Sequence, residues 1–229
     1  SKSMLSEEIG LNDWLAHLGI EPIETDLGEY IVQLRHEAPY HIVTPAMHLS
    51  RKDIAALFAE RFGLPADSSA ESITAFVRER LRVDFLSADL GITGANFLVA
   101  DTGSIAVVEN EGNARLCTAL PRVHIAIAGM ERIVPRAADL ELMLPLLATY
   151  GTGQQMTVYN TLYHAAKSEQ EQDGAQYMYV ILLDNGRARL LADERLRAAL
   201  HCIRCGSCLN ACPVYRSIGG HSYEAPYTG

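Results

Sequence analysis

The chain has 229 residues, a formal net charge of −9 and 48% hydrophobic residues. This length predicts one domain with a short appendage, and the hydrophobic fraction is enough for a sizeable core. The acidic balance argues against general nucleic-acid binding, which requires clustered Lys and Arg. No long apolar run and no basic-then-apolar leader occurs, so we predict no membrane span and expect a cytoplasmic protein.

The first part of the chain predicts mainly helices. Residues 6–19 have amphipathic spacing and end at Gly19. Short strands are predicted in "IEPIET", in "YIVQL" and in "HIVTPA" (residues 41–46). Two longer helices follow at 50–63 and 69–89, the first of which begins at a Ser cap.

The later part of the chain predicts mainly strands. A strand, a tight turn and a strand are expected within residues 91–113, and the apolar run 123–129 is typical of a central strand. Further elements are a helix over 137–151, strands in "MTVYNTLYH" and "YMYVILLDNG", and a short helix over 193–200. This order predicts a three-layer α/β domain with a mixed sheet at 1–192, followed by a cysteine-rich segment at 193–229.

Four of the five cysteines lie close together near the end of the chain. Cys202, Cys205, Cys208 and Cys212 have the spacing C-x2-C-x2-C-x3-C, and Pro213 follows. This is the bacterial ferredoxin run for a [4Fe–4S] cluster. A structural zinc site usually uses two Cys pairs much further apart, and disulfides are disfavoured in the cytoplasm, so both alternatives are weaker.

The fourth cysteine of such a run ligates the other cluster in two-cluster ferredoxins. A second run is absent here, and Cys117 is expected to be a buried small residue. We therefore expect the natural protein to continue past Gly229 and supply the partner cysteines. We also expect this fragment alone to hold no intact cluster and its tail to be poorly anchored. Arg204 and Arg216 could neutralise a cluster or bind an acidic partner.

The turn-rich stretches of the α/β domain are candidates for a small-molecule site. Polar groups at strand ends are where open α/β sheets bind ligands. The competing interpretation is an ordinary hairpin turn at "DTG". No dinucleotide or Walker fingerprint is present. The candidate residues are Thr93, Asp101, Thr102, Gly103, Glu109, Thr152 and Gln154.

Several segments together resemble the lactate utilisation protein B family. They include "GIEPIETDLGEYIVQL", "HIVTPAMH", "GITGANFLVADTGSI" and "CIRCGSCLNACPVYRSIGGHSY". The resemblance implies a LUD domain with a fold similar to the NagB/RpiA/CoA-transferase type. It also implies two [4Fe–4S] clusters, with Cys202, Cys205, Cys208 and Cys212 as cluster ligands. Family members have residues ahead of "SKSM", so we expect the domain to be truncated at its N-terminus.

The same resemblance implies a role in oxidising L-lactate to pyruvate, with a cysteine-rich subunit and a second LUD protein as partners. We therefore predict an electron-transfer subunit of an L-lactate-oxidising oxidoreductase complex. The alternative is an α/β module that binds or converts a small organic acid, with accessory clusters. A scaffold for other redox subunits is a third possibility.

Overall fold

The structure, a computed structural model, describes residues 1–225. The helices are α1 Met4–Glu8, α2 Leu11–His17, α3 Leu27–Arg35, α4 Arg51–Phe62, α5 Ala70–Ser87, α6 Asn113–Ala119, α7 Leu140–Thr152, α8 Arg187–Ala192, α9 Ser207–Ala211 and α10 Pro213–Ile218. The strands are β1 Leu90–Gly94, β2 Phe97–Val99, β3 Ser104–Glu109, β4 Val123–Gly129, β5 Ile133–Val134, β6 Tyr159–Tyr163 and β7 Tyr177–Leu183. None of the helices in residues 1–225 combines the length and the hydrophobicity required to span a bilayer.

The strands form two sheets. One is parallel, in the order β1-β4-β7, and the other is mixed, in the order β5-β2-β3-β6. Ile105 and Val107 of the mixed sheet share a buried cluster with Ala126 and Ala128 of β4, so the two sheets pack against each other. The predicted α/β class with a mixed sheet is confirmed, and β4 is the central strand of the parallel sheet, as its apolar run indicates.

Helices α3, α4 and α5 pack around a separate hydrophobic cluster that includes Tyr30, Phe58 and Ile73. The two longer helices predicted from sequence are confirmed as α4 and α5. The capping signals in their sequence agree with this packing. The Ser50 side chain accepts from the amide of Asp53, and the Asp53 carboxylate accepts from the amide of Ser50, which forms a capping box at α4.

The strand predicted in "YIVQL" is wrong, since these residues lie in α3. The Asp26 carboxylate accepts from the amide of Gly28 and caps the helix. Leu27, Ile31 and Leu34 follow helical spacing and pack in the α3–α5 cluster. A run of apolar residues this short is compatible with either element, and packing against α4 and α5 selects the helix.

The strand predicted over 41–46 is also wrong, because a histidine side chain closes a turn there. His41 Nδ1 accepts from the backbone amides of Val43 and Thr44, at 3.1 and 3.2 Å. These bonds use amides that a strand ladder would need. The short helix predicted over 193–200 is instead a 3-10 turn at Arg197–His201.

The carboxyl ends of β1 and β4 lie at the same edge of the parallel sheet. Gly94 pairs with Ile127, two residues before β4 ends at Gly129. The chain then enters a 3-10 turn over Met130–Arg132 before β5. Residues that follow β1 and β4 therefore meet at this edge, which positions the cavity described below.

Candidate iron–sulfur segment and the adjoining cavity

The four cysteines predicted as ligands lie in a loop, in the short helix α9 and at the junction between α9 and α10. Cys202 follows the 3-10 turn, Cys205 lies in the loop, Cys208 lies in α9 and is exposed, and Cys212 separates α9 from α10. The backbone amide of Arg204 donates to Cys202 Sγ at 3.4 Å. Amide donors to sulfur stabilise thiolates and tune bound iron–sulfur clusters.

The cysteine segment packs closely on the α/β domain. Leu209 and Tyr215 are buried in one cluster with Ile42, and the Tyr215 hydroxyl donates to the backbone oxygen of Tyr40. Gly206 lies in the left-handed region at φ 77°, where a Cβ would lie 2.9 Å from His41 Cε1. The expectation that the tail is poorly anchored is therefore wrong for residues 202–225, because apolar burial holds the segment in place.

A network of ion pairs also fastens the segment to the domain. Arg204 Nη2 donates to Glu8 Oε2 at 3.0 Å, and the same carboxylate accepts two hydrogen bonds from Arg187, each at 2.9 Å. Arg187 also donates to Glu131. Glu131 folds back over Gly129, where a Cβ would lie 2.1 Å from Glu131 Oε2. Arg204 thus neutralises Glu8, and the hypothesis that it neutralises a cluster or binds an acidic partner stays a prediction.

The donor set suits a multi-iron cluster better than a single ion. Within residues 1–225, no group of three or more His, Cys, Asp or Glu side chains is arranged to hold a metal ion. A cubane cluster carries one thiolate on each of its irons, so its ligands stand further apart than those of a single ion. The thiols of Cys202, Cys205 and Cys208, with an amide already donating to Cys202 Sγ, are the ligands that such a cluster takes, and the fourth thiol of a run of this kind serves the other cluster in two-cluster ferredoxins.

A cavity of about 380 Å³ separates the cysteine loop from the α/β domain. One wall comes from the cysteine loop and includes Cys205. The other walls carry apolar and charged side chains of the domain, together with residues that follow β1 and β4. Its principal charged and polar lining residues are Lys2, Asp26, Glu29, Asn96, Arg132 and Arg204.

The small-molecule residues predicted from sequence are divided between the two ends of β3. Glu109 and Thr152 line the cavity, and Gln154 is linked to it through a hydrogen bond from Nε2 to Asn110 Oδ1. The Glu109 carboxylate is already used, since it accepts from the first amides of α6, Ala114 N and Arg115 N.

The remaining candidates do not line the cavity. Asp101, Thr102 and Gly103 form the turn between β2 and β3, at the opposite end of β3 from Glu109. The Asp101 carboxylate accepts from the amide of Ala137, as in an ordinary structural turn. Thr93 is buried and hydrogen-bonded to His124. The structure therefore does not bring the candidate residues together at one place, since the length of β3 separates the turn at Asp101 from Glu109.

Sequence reasoning missed the charged residues that line the cavity most directly. Lys2, Asp26 and Glu29 come from the N-terminal stretch and α3, and Arg132 follows β4. Nothing in their local sequence distinguishes them from surface charges. Only the burial of Arg132, 8% exposed, sets it apart.

Comparison with protein families identifies the class. The LUD domain family matches residues 3–183 and the 4Fe-4S dicluster domain matches residues 198–229. The chain therefore belongs to the LUD domain family and carries an iron–sulfur segment of the dicluster type.

Curated relatives agree with the resemblance seen in the sequence. The chain is 50% identical to lactate utilization protein B of Shouchella clausii and 49% identical to that of Oceanobacillus iheyensis. It is also 49% identical to the uncharacterized electron transport protein YkgF of Escherichia coli. Each match covers 100% of this chain and 48% of the relative, so the chain spans about half the length of the curated relatives it matches.

One solved structure overlaps more loosely. It is a DUF162 family protein from Deinococcus radiodurans, with a TM-score of 0.34 and 19% identity, covering 58% of this chain and 84% of that one. A likeness of this size carries no argument about the fold.

Proposed function

We propose that the chain is part of an iron–sulfur electron-transfer protein in a lactate utilisation system that oxidises L-lactate to pyruvate. The observation that carries this proposal is the four-cysteine run inside the region matched by the 4Fe-4S dicluster domain. The names of the relatives support it: several are lactate utilization protein B, and another is an electron transport protein.

In this proposal Cys202, Cys205, Cys208 and Cys212 are cluster ligands, and the full-length protein holds two [4Fe–4S] clusters. Such clusters, when bound, accept and pass on single electrons. The residues of this chain supply the thiolates, an amide donor at Arg204 and an anchored loop. The proposal divides the chain into a LUD domain at 1–192 and an iron–sulfur segment at 193–229, and α8 ends at this division.

The partners in this proposal are a cysteine-rich subunit and a second LUD protein, which would supply electrons or receive them. Cys208 is exposed. A cluster ligated through Cys208 would lie near the protein surface, where a partner can approach. Electron transfer between two proteins requires their redox centres to come close together, and a cluster near the surface allows this.

The test is to produce the full-length protein without oxygen and measure bound iron and sulfide. We expect a brown protein whose visible absorption bleaches on adding L-lactate when its partner subunits are present. A colourless protein without bound iron would refute the electron-transfer role. Replacing Cys212 by Ser should lower bound iron, whereas Cys117→Ser, which alters a buried thiol of the α/β domain, should not.

The cavity favours a second candidate function, in which the α/β domain itself binds or converts a small organic acid. The same experiment separates the two functions. Bleaching by L-lactate without any partner subunit would indicate that this protein performs the chemical step. Bleaching only in the presence of partners would indicate a relay.

A further inference from the structure

Five charged side chains form a network beside the cysteine loop, and their charges do not cancel. The members are Glu8, Glu131, Arg132, Arg187 and Arg204. Each is linked to another member through a contact of 3.9 Å or less between nitrogen and oxygen. Three guanidinium groups face two carboxylates, so the network has one positive charge in excess.

The excess charge lies mainly on Arg132, which has the weakest compensation. Glu8 accepts hydrogen bonds from both Arg187 and Arg204. Arg132 is buried, and its nearest contact to a carboxylate spans 3.5 Å, from its Nε to Glu131 Oε1. In the part of the chain that the structure describes, its guanidinium makes no hydrogen bond. A buried charge with so little compensation is costly, and a second negative group nearby would lower that cost.

The cysteine loop lies against the stretch that contains Arg132. Arg132 immediately precedes β5, and Ile203 of the loop packs in the same hydrophobic cluster as Val134 of β5. Arg132 and Cys205 line the same cavity. The packing of Ile203 therefore fixes the loop at a short distance from the guanidinium.

Cys202 is close enough for its charge to act on Arg132. Burial and the charge of Arg204 lower the pKa of Arg132 to about 10, and negative charges on Glu131 and Cys202 oppose this fall. The guanidinium thus stays charged at neutral pH. The backbone amide of Arg204 also donates to Cys202 Sγ at 3.4 Å, so two positive dipoles or charges favour a thiolate at Cys202.

A positive charge beside a cluster ligand affects the reduction potential of the cluster. An iron–sulfur cluster on cysteine thiolates, when bound, gains one negative charge on each one-electron reduction. A fixed cation nearby stabilises the reduced form more than the oxidised form and raises the potential. A buried cation acts more strongly than an exposed one, because water and salt screen it less.

We infer that Arg132 is the electrostatic partner of the cluster ligated through Cys202, and that its charge raises the reduction potential of that cluster. The inference rests on the proposed iron–sulfur function and adds a residue of the α/β domain to the site. Arg132 ligates no iron in this assignment, since it acts only through its charge.

The first test is a redox titration of the full-length protein, prepared without oxygen and followed by electron paramagnetic resonance. Arg132→Gln should shift the reduction equilibrium of one cluster at least about tenfold toward the oxidised form, which is a fall of about 59 mV in midpoint potential. Arg132→Lys, which keeps the charge, should restore most of the wild-type potential. Midpoint potentials that are the same in wild type and Arg132→Gln would overturn the inference.

The matched control is Arg136→Gln, four residues away. Arg136 is exposed and paired with Asp139 at 3.1 Å, so its loss changes the net charge of the protein equally but at a distant, solvated site. Its midpoint potentials should equal those of wild type. Equal shifts in Arg132→Gln and Arg136→Gln would show an effect of net charge alone and would also refute the assignment.

A variant of opposite sign separates charge from loosening of the loop. Glu131→Gln keeps the size of the side chain and adds one positive charge to the network, so it should raise the midpoint potential that Arg132→Gln lowers. A fall in Glu131→Gln as well would indicate that a disturbed loop causes both changes, and it would contradict the inference. This variant also decides the matter if Arg132→Gln fails to retain iron.

The outcome is separable from that of the proposed function. Bound iron is measured in every preparation. A colourless wild-type protein without iron would defeat the electron-transfer proposal and this inference together. A brown wild-type protein whose potentials do not respond to Arg132→Gln would defeat this inference and leave the electron-transfer role standing.

Discussion

Glu8 is the residue whose replacement most directly probes how the cysteine segment is held. Its carboxylate bonds to Arg187 of α8 and to Arg204 of the cysteine loop, so one side chain joins three parts of the chain. Burial alone would raise the pKa of Glu8, but the hydrogen bonds from Arg187, Asn185 and Arg204 outweigh it and lower the pKa to about 2. Glu8→Gln removes the charge while keeping the size and shape of the side chain.

The expected loss in the free energy of unfolding follows from the lowered pKa of Glu8. A fall from 4.5 to about 2 corresponds to about 3.4 kcal/mol, at about 1.36 kcal/mol for each pKa unit. Glu8 is partly accessible to water, which screens the charges and reduces the figure. We expect Glu8→Gln to lower the free energy of unfolding by about 2 kcal/mol at pH 7.

The effect has a defined pH dependence. A carboxylate with a lowered pKa in the folded state contributes its full stabilisation above the unfolded value of 4.5 and loses it as the pH falls toward 2. The difference between wild type and Glu8→Gln should therefore be constant above about pH 5.5 and shrink below pH 4.5.

The assay is urea unfolding followed by circular dichroism at several pH values, with hydrogen exchange of the cysteine loop as a second readout. The control is Glu7→Gln on the same helix. Burial raises the pKa of Glu7, so removing its charge should not destabilise the protein. Equal losses for both variants, or a loss at Glu8 that does not change between pH 7 and pH 3, would refute the role assigned to the ion pairs.

Three further predictions concern the same segment. Gly206→Ala forces a side chain into a left-handed conformation and should cost about 2 kcal/mol, seen as faster hydrogen exchange over residues 202–218; unchanged exchange would contradict the close packing. Tyr215→Phe removes the hydrogen bond to the Tyr40 carbonyl and should cost about 1 kcal/mol, measured as a lower thermal midpoint; an unchanged midpoint would show that the hydroxyl contributes nothing. Cys212→Ser should reduce iron in the full-length protein while Cys117→Ser, at a thiol whose pKa burial raises, should not; equal iron contents would remove Cys212 from the ligand set.

Features that depend on neighbouring residues could be predicted well. The helix that begins at the Ser50 cap, the turn between β2 and β3, and the central strand β4 were all predicted, because caps, turns and apolar runs act over a few residues. The "YIVQL" strand was wrong because four apolar positions in a short stretch satisfy either period. The His41 turn was missed because its bonds come from a side chain and not from a backbone pattern.

The cysteine spacing, and with it the iron–sulfur chemistry, was determined by the sequence itself, since ligands within eleven residues need no distant part of the fold to bring them near one another. The cavity was decided by the tertiary structure alone. Lys2, Glu29 and Arg132 are far apart in the chain and meet only because α3 packs near the edge of the parallel sheet and the cysteine loop covers it. What distinguishes these residues is that they are brought together around one cavity, and a charged residue acquires such surroundings only when the chain has folded around it.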